Sequence, residues 1–375
     1  MVAAASCGAA PGTRYFAPLH YPRPMLPAEL LRLRLLNQHL TTGPAPDAAR
    51  LVAHFAAMQA QDYGQSLWAV GARLPGRTAD TVARALHEGQ LVRTWLLRGT
   101  LHLAAAEDVR WLLDLVAPRL IQAGAAIYRQ RELDAASFTR SFAVLERLLT
   151  GQPPQPRRIL AEALQAAGIR TDEQRLYTLL QRAVLEKLIC PAGRHGAEPT
   201  YALADDWLPP APKPFDRAEA VAELARRYFR SHGPATLADF AWWAGLPLGP
   251  ARQGLEAAQP GLVAETIDNQ TYWLPPPPAT GPTVPPGLLL AGFDEYLLAY
   301  QDRRPLLDPA YTRQVLTSNG IFRPIIVVAG RVAGTWQRRP GKAGGVELRP
   351  FAELPGGTAE ALAAAATTVE QFYQA

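Results

Sequence analysis

The chain has 375 residues, enough to bury a sizeable core and more in keeping with two to four small domains than with one. With 48% hydrophobic and 19% charged residues it fits a globular protein, and no apolar run is long enough to span a membrane. A net charge of +5 weakly favours an anionic partner such as nucleic acid, while the two cysteines, Cys7 and Cys190, lack CxxC or Cys/His ligand spacing, so no zinc site is expected and a reduced, cytoplasmic setting is the default.

Residues 1–26 read as a flexible N-terminal arm. They have neither the basic start nor the clean apolar stretch of a signal peptide. The first unit, 27–136, opens with four helical patterns: AELLRLRLLNQHL, PDAARLVAHFAAM, YGQSLWAVGARL and TADTVARALHEG. Thr78 or Asp80 can cap the fourth, and Gly89 can end it. LVRTWLLRGTLHLA then changes the period, with Arg98-Gly99 in its middle, and predicts a hairpin. Helices followed by a two-stranded ribbon are the plan of a winged helix.

The plan recurs. In 137–213, SFAVLERLLTG, RRILAEALQAAG and a helical pattern ending at Lys187 precede the hairpin pattern LICPAGRHGAEPTYAL. In 214–276, AVAELARRYFRSHG, TLADFAWWAG and GPARQGLEAA precede LVAETIDNQTYWLPP, with Gly233 ending the first helix and Thr236 and Asp239 set as a capping box on the second. Three recurrences predict three tandem winged-helix modules. Behind the joint PPPPATGPTVPP, residues 277–375 show strand patterns, a turn at Ala329-Gly330 and a closing helix, TAEALAAAATTVEQFYQA, which predict a small C-terminal β-barrel or curled sheet. The fold class expected is thus α+β, mainly helical.

MQAQD, residues 58–62, sets two carboxamides around one small residue where a helical pattern stops. Two residues apart on a helix, Gln59 and Gln61 would face nearly opposite ways; on extended chain they share a face. A joint chemical role therefore requires the helix to break near Met58, with Asp62 capping the next helix. The plainer alternative is a polar helix end whose glutamines cap and solvate. Trp242-Trp243, at helical spacing, are expected in the core. Asp294, Glu295 and Asp302 are expected to pair with Arg303, Arg304 or Arg323. Arg338, Arg339 and Lys342 form a basic hairpin tip.

QAQD, RTWLLRGTLHL, HGPATLADFAWWAGL, FDEYLLAYQDRRPLL and NGIFRPIIVVAGRVAGTWQRR occur in that order. From about residue 27 to the end the chain resembles the winged-helix DNA glycosylases, in their AlkZ-like branch, which carries Gln, an apolar residue and Gln. The resemblance implies three winged helices and a barrel in a C shape that grips duplex DNA. It implies excision of alkylated purines, above all N7-alkylguanine, including bulky adducts and interstrand crosslinks. Gln59 and Gln61 become the catalytic pair. Arg93, Arg98, Thr100, His102, Arg338, Arg339 and Lys342 become candidate DNA contacts.

Such chemistry suits carboxamides. N7 alkylation makes guanine cationic and a good leaving group, so the enzyme has to steady an oxocarbenium-like sugar and aim a water rather than deliver a proton. No lysine lies near the motif, which argues against a Schiff-base route. The expectation is a monofunctional glycosylase that needs no metal, nucleotide or redox cofactor, acts as a monomer on double-stranded DNA, and works in the cytoplasm at the nucleoid without any membrane association. The rival readings are a winged-helix transcriptional regulator and a non-catalytic damage binder; release of free base separates them.

Overall fold

A computed structural model describes residues 19–20, 25–41, 47–172, 174–210, 215–278, 283–339 and 345–374. In each of the first three units, helices lead into an antiparallel hairpin. The first has Pro27–Asn37, Ala48–Phe55, Tyr63–Gly71 and Ala79–His87 before the hairpin of Leu91–Leu96 and Thr100–Ala105. The second has Ala135–Leu149, Arg157–Ala166 and Arg175–Leu185 before Ile189–His195 and Glu198–Leu203. The third has Arg217–His232, Leu237–Ala244 and Leu248–Ala258 before Val263–Ile267 and Gln270–Leu274.

The caps follow the sequence closely. Thr78 and Asp62 accept N–H bonds as N-caps, and Thr236 with Asp239 forms a full capping box. Leu97 and Gly99 turn the first hairpin with φ of 45° and 84°, and Ala329 and Gly330 turn another with φ of 47° and 80°.

Each hairpin gains a short third strand from upstream. Met58–Gln59 joins the first and Gln155–Pro156 the second, both antiparallel. Leu19–His20 pairs parallel with Val263–Ala264, so part of the expected loose arm is a strand. Residues 106–130 carry no assignment from the sequence and form the helices Ala106–Ala123 and Ala125–Gln130. Pro118 inside the first of these masks the helical pattern.

The C-terminal sheet is open, which corrects the expectation of a barrel. Its order is Leu288–Leu290, Ile325–Val328, Arg331–Arg338, Val346–Pro350, and among the described residues the two outer strands do not pair. Four short strands are too few to curl round a filled interior. Burial comes instead from a covering helix. Leu362, Val369 and Phe372 of Thr358–Gln374 pack with Trp68 of Tyr63–Gly71 and with Leu289, Ile326 and Trp336 of the sheet. The approach is close: a Cβ on Gly71 would stand 2.3 Å from the Phe372 ring. The C-terminal sheet is thereby fixed directly against the first unit.

Candidate active site

The helix Ala48–Phe55 does stop before the glutamines. Ala56 takes φ of 63°, and the chain runs out extended as Met58–Gln59. Gln59 lies opposite His102, which lies opposite Thr94, so these three make one row across the sheet. Met58 and Ala60 turn to the other side and join the apolar cluster. Alternation along extended chain puts Gln59 and Gln61 on a common face.

Both carboxamides are held through their oxygens. Arg98 donates an Nη2–H to Gln59 Oε1 at 3.2 Å, and the Leu101 N–H donates to Gln61 Oε1 at 3.3 Å. A guanidinium and a backbone N–H can only donate, so the atoms they meet must be oxygens. Each oxygen keeps a second lone pair, and neither Nε2 has a hydrogen-bond partner among the described residues. Gln59 is 7% exposed, whereas Gln61 is exposed.

The backbone beneath is equally constrained. Ala60 N–H donates to the Leu101 carbonyl at 2.7 Å, which leaves the Gln59 N–H on the unpaired edge of the short strand. Glu295 Oε1 meets that N–H at 2.6 Å. Its Oε2 accepts Trp243 Nε1–H at 2.9 Å and stands 3.4 Å from His232 Nε2. Burial pushes the Glu295 carboxyl up, but His232 and the Gln59 N–H outweigh it and hold it below the usual carboxylate range.

Arg93 donates to the carbonyls of Ala60 and Gln61, and Arg98 to those of Trp242 and Trp243. Both arginines thus brace the site rather than stand free. Asp62 caps the helix Tyr63–Gly71 through Gln65 N–H at 2.9 Å. His102 is fully buried, and its Nδ1 lies 2.8 Å from the Thr100 carbonyl, so Nδ1 carries the proton. Burial, then Arg98, pushes its pKa down to about 4, so the ring is neutral. Its Nε2, with Thr94 Oγ1 and Thr100 Oγ1, is buried without a hydrogen-bond partner among the described residues.

The remaining candidates lie elsewhere. Arg338 stacks 3.9 Å over Tyr373, whose hydroxyl donates to the Gly64 carbonyl at 2.7 Å, next to the motif. Arg339 sits 3.8 Å from Glu347. Lys342 and the rest of the tip, 340–344, are outside the described residues, as is Cys7. Cys190 is buried, which pushes its thiol pKa up.

Two expectations fail in part. Trp243 is core, but Trp242 is 41% exposed, with Arg98 and Arg303 5.5 and 5.8 Å from its ring. Asp302 does pair with Arg304 at 2.7 Å, yet Asp294 pairs with buried Arg73 at 2.8 Å and Glu295 faces Gln59. The signal for Glu295 was present in its company, EYLLAY, an apolar run that buries whatever leads it. Among the described residues no group of His, Cys, Asp or Glu is placed to hold a metal ion, and no helix is long and apolar enough to cross a membrane.

A family model described as DNA glycosylase AlkZ-like matches residues 52–372. A curated relative, an interstrand DNA cross-link repair glycosylase of Streptomyces sahachiroi, is 25% identical over 338 residues, covering 81% of this chain and 85% of that protein. The solved structure of Streptomyces sahachiroi DNA glycosylase AlkZ superposes with a TM-score of 0.79 at 22% identity, over 93% of this chain and 97% of that one, a likeness of fold.

Proposed function

The chain belongs to the AlkZ-like DNA glycosylase family, and from that premise we propose that it hydrolyses the N-glycosidic bond of purines alkylated at N7 or N3 in duplex DNA, with Gln59 and Gln61 as the groups that act on water and sugar. The observation that carries this reading is the helix break at Ala56, after which the chain runs extended into the motif with a lone pair and an NH₂ left on each carboxamide.

In this mechanism a water donates to one carboxamide oxygen and accepts from the other NH₂, which aims its remaining lone pair at C1′. The second oxygen faces the sugar as positive charge develops there. The C1′–N bond breaks with its electron pair going to the cationic base, which leaves neutral, so no acid is needed; the water oxygen bonds C1′ and its surplus proton passes to bulk solvent beside exposed Gln61. Water is the nucleophile and the enzyme is monofunctional.

The three helix-and-hairpin units serve as winged-helix modules, arranged in a C shape around the duplex. A monomer suffices, since Gln59, Arg98, Trp243 and Glu295 all come from one chain. Bulky adducts and interstrand crosslinks fall within the same chemistry, because they too leave purines cationic. The curated relative's name points in that direction. The test is incubation with a duplex holding one N7-methylguanine. Free N7-methylguanine is expected; tight binding without release would favour a damage binder, and neither would favour a regulator.

A further inference from the structure

We propose that Glu295 and Arg98 are positioning residues for Gln59: one clamps its backbone, the other its carboxamide oxygen, so that the side chain turns only one way. The inference rests on the reading of Gln59 as a reacting-site residue and says what keeps it in register.

The strand that carries Gln59 is only 2 residues long and lies at a sheet edge. Two ladder positions are a weak anchor, and an edge N–H without a partner would cost stability if buried. Glu295 supplies that partner from 236 residues away in sequence. It leads the helix Glu295–Leu298, capped by Asp294, and Asp294 is itself locked to Arg73. The carboxylate is 1% exposed.

The clamp closes through Trp243. Its indole N–H donates to Glu295 Oε2 at 2.9 Å, while its carbonyl accepts from Arg98 Nη1. Arg98 then reaches Gln59 Oε1 with Nη2. The circuit Glu295, Gln59, Arg98, Trp243 fixes both ends of Gln59 with two charges of opposite sign, the carboxylate fully buried and the guanidinium half-buried. A neutral glutamine at position 295 would keep one acceptor for the Gln59 N–H. Its NH₂ would face the Trp243 N–H, donor against donor. The network is therefore specific for a carboxylate, and the charge of Arg98 balances it.

The test is single-turnover release of N7-methylguanine from duplex DNA by Glu295→Gln, Arg98→Met and Gln59→Ala, singly and combined, with DNA affinity and melting temperature measured alongside. Each single variant is expected to be about 30- to 100-fold slower, the range for a misaimed polar contact. DNA affinity should stay within about twofold, because the clamp acts on Gln59 rather than on phosphate. Glu295→Gln added to Gln59→Ala should cost nothing more, because it acts through that side chain. Added to Gln61→Ala, which is held separately by Leu101 N–H, its loss should multiply.

Losses that multiply with Gln59→Ala, or unchanged rates in both Glu295→Gln and Arg98→Met, overturn the inference. Arg98→Met weakening DNA binding with no change in the rate of bound substrate would make Arg98 a phosphate contact and overturn it too. If Glu295→Gln does not fold, Arg98→Met carries the same comparison from a half-buried turn. Full activity in Gln59→Ala would instead sink the reading of Gln59 itself, and the clamp with it.

Discussion

Two hairpins in this molecule look alike in the sequence and are used in opposite ways. Leu91–Leu96 with Thr100–Ala105 is packed inside: Arg93 and Arg98 turn in to backbone carbonyls, and His102 and Thr94 are fully buried. Arg331–Arg338 with Val346–Pro350 is packed on one face only, and its last residues before the tip, Gln337 and Arg338, are exposed. The first hairpin spends its arginines on holding a motif in place. The second leaves Arg338 and Arg339 exposed, the one stacked on Tyr373 and the other 3.8 Å from Glu347, with no backbone carbonyl among the described residues holding either guanidinium. Arginine on a hairpin thus does not by itself indicate a phosphate contact; what the guanidinium already bonds to decides.

The largest effect should fall at the inner hairpin's neighbour. Gln59→Ala and Gln61→Ala are each expected to slow base release about 100-fold, equivalent to about 2–3 kcal/mol, since each removes a polar contact made in the transition state. Folding and DNA affinity should be nearly unchanged, as judged by melting temperature and by binding to an undamaged duplex. Unchanged excision in both would break the contrast at its functional end.

Next is the pH response of the buried hairpin. His102 in the hairpin and His54 in the helix Ala48–Phe55 both have pKa values pushed down to about 4, first by burial. Above the unfolded histidine value of about 6.5, both states are neutral and nothing is lost. As pH falls from there toward 4, the unfolded chain takes up protons that the folded one refuses, so stability drops, by on the order of 3 kcal/mol per histidine at most. Thermal melts at pH 7.5 and pH 5 should show the loss, and His102→Gln should narrow the gap. An equal gap in the variant would mean that the His102 ring is not held neutral.

The smallest effect should come from the outer hairpin. Replacing Arg338, Arg339 and Lys342 with glutamine should lower affinity evenly across sequences. The slope of log affinity against log salt should flatten by about 2 to 3. The rate of bound substrate should hold. An unchanged slope would show that the tip does not touch phosphate, and would erase the division of labour between the hairpins.

How much could be read beforehand follows local physics. Caps and turns were legible because their residues act within three or four positions: Thr78, Thr236 with Asp239, Arg98-Gly99, Ala329-Gly330. The break before Gln59 was legible as a requirement, though nothing in the apolar run marks Ala56 as its place. What stayed hidden depends on distant partners. Glu295 meets Gln59, and His232 meets Glu295, only after three units and an open sheet have come together. The closing helix was legible as a helix, but its packing on Trp68 and the open sheet was not. Trp242 and Trp243 look equivalent as a pair, yet one is core and the other stands exposed between two arginines.

The most direct measurement is excision from matched duplexes holding one N7-methylguanine or one uracil, followed at pH 7 and at pH 8.5. Two carboxamides offer no proton to a neutral leaving group, so release must draw on the charge that alkylation places on the purine. The expected result is free N7-methylguanine at similar rates at both pH values, with uracil untouched. Efficient uracil release, or a steep fall in N7-methylguanine release between the two, would contradict catalysis by Gln59 and Gln61 and point to a titrating group beside them.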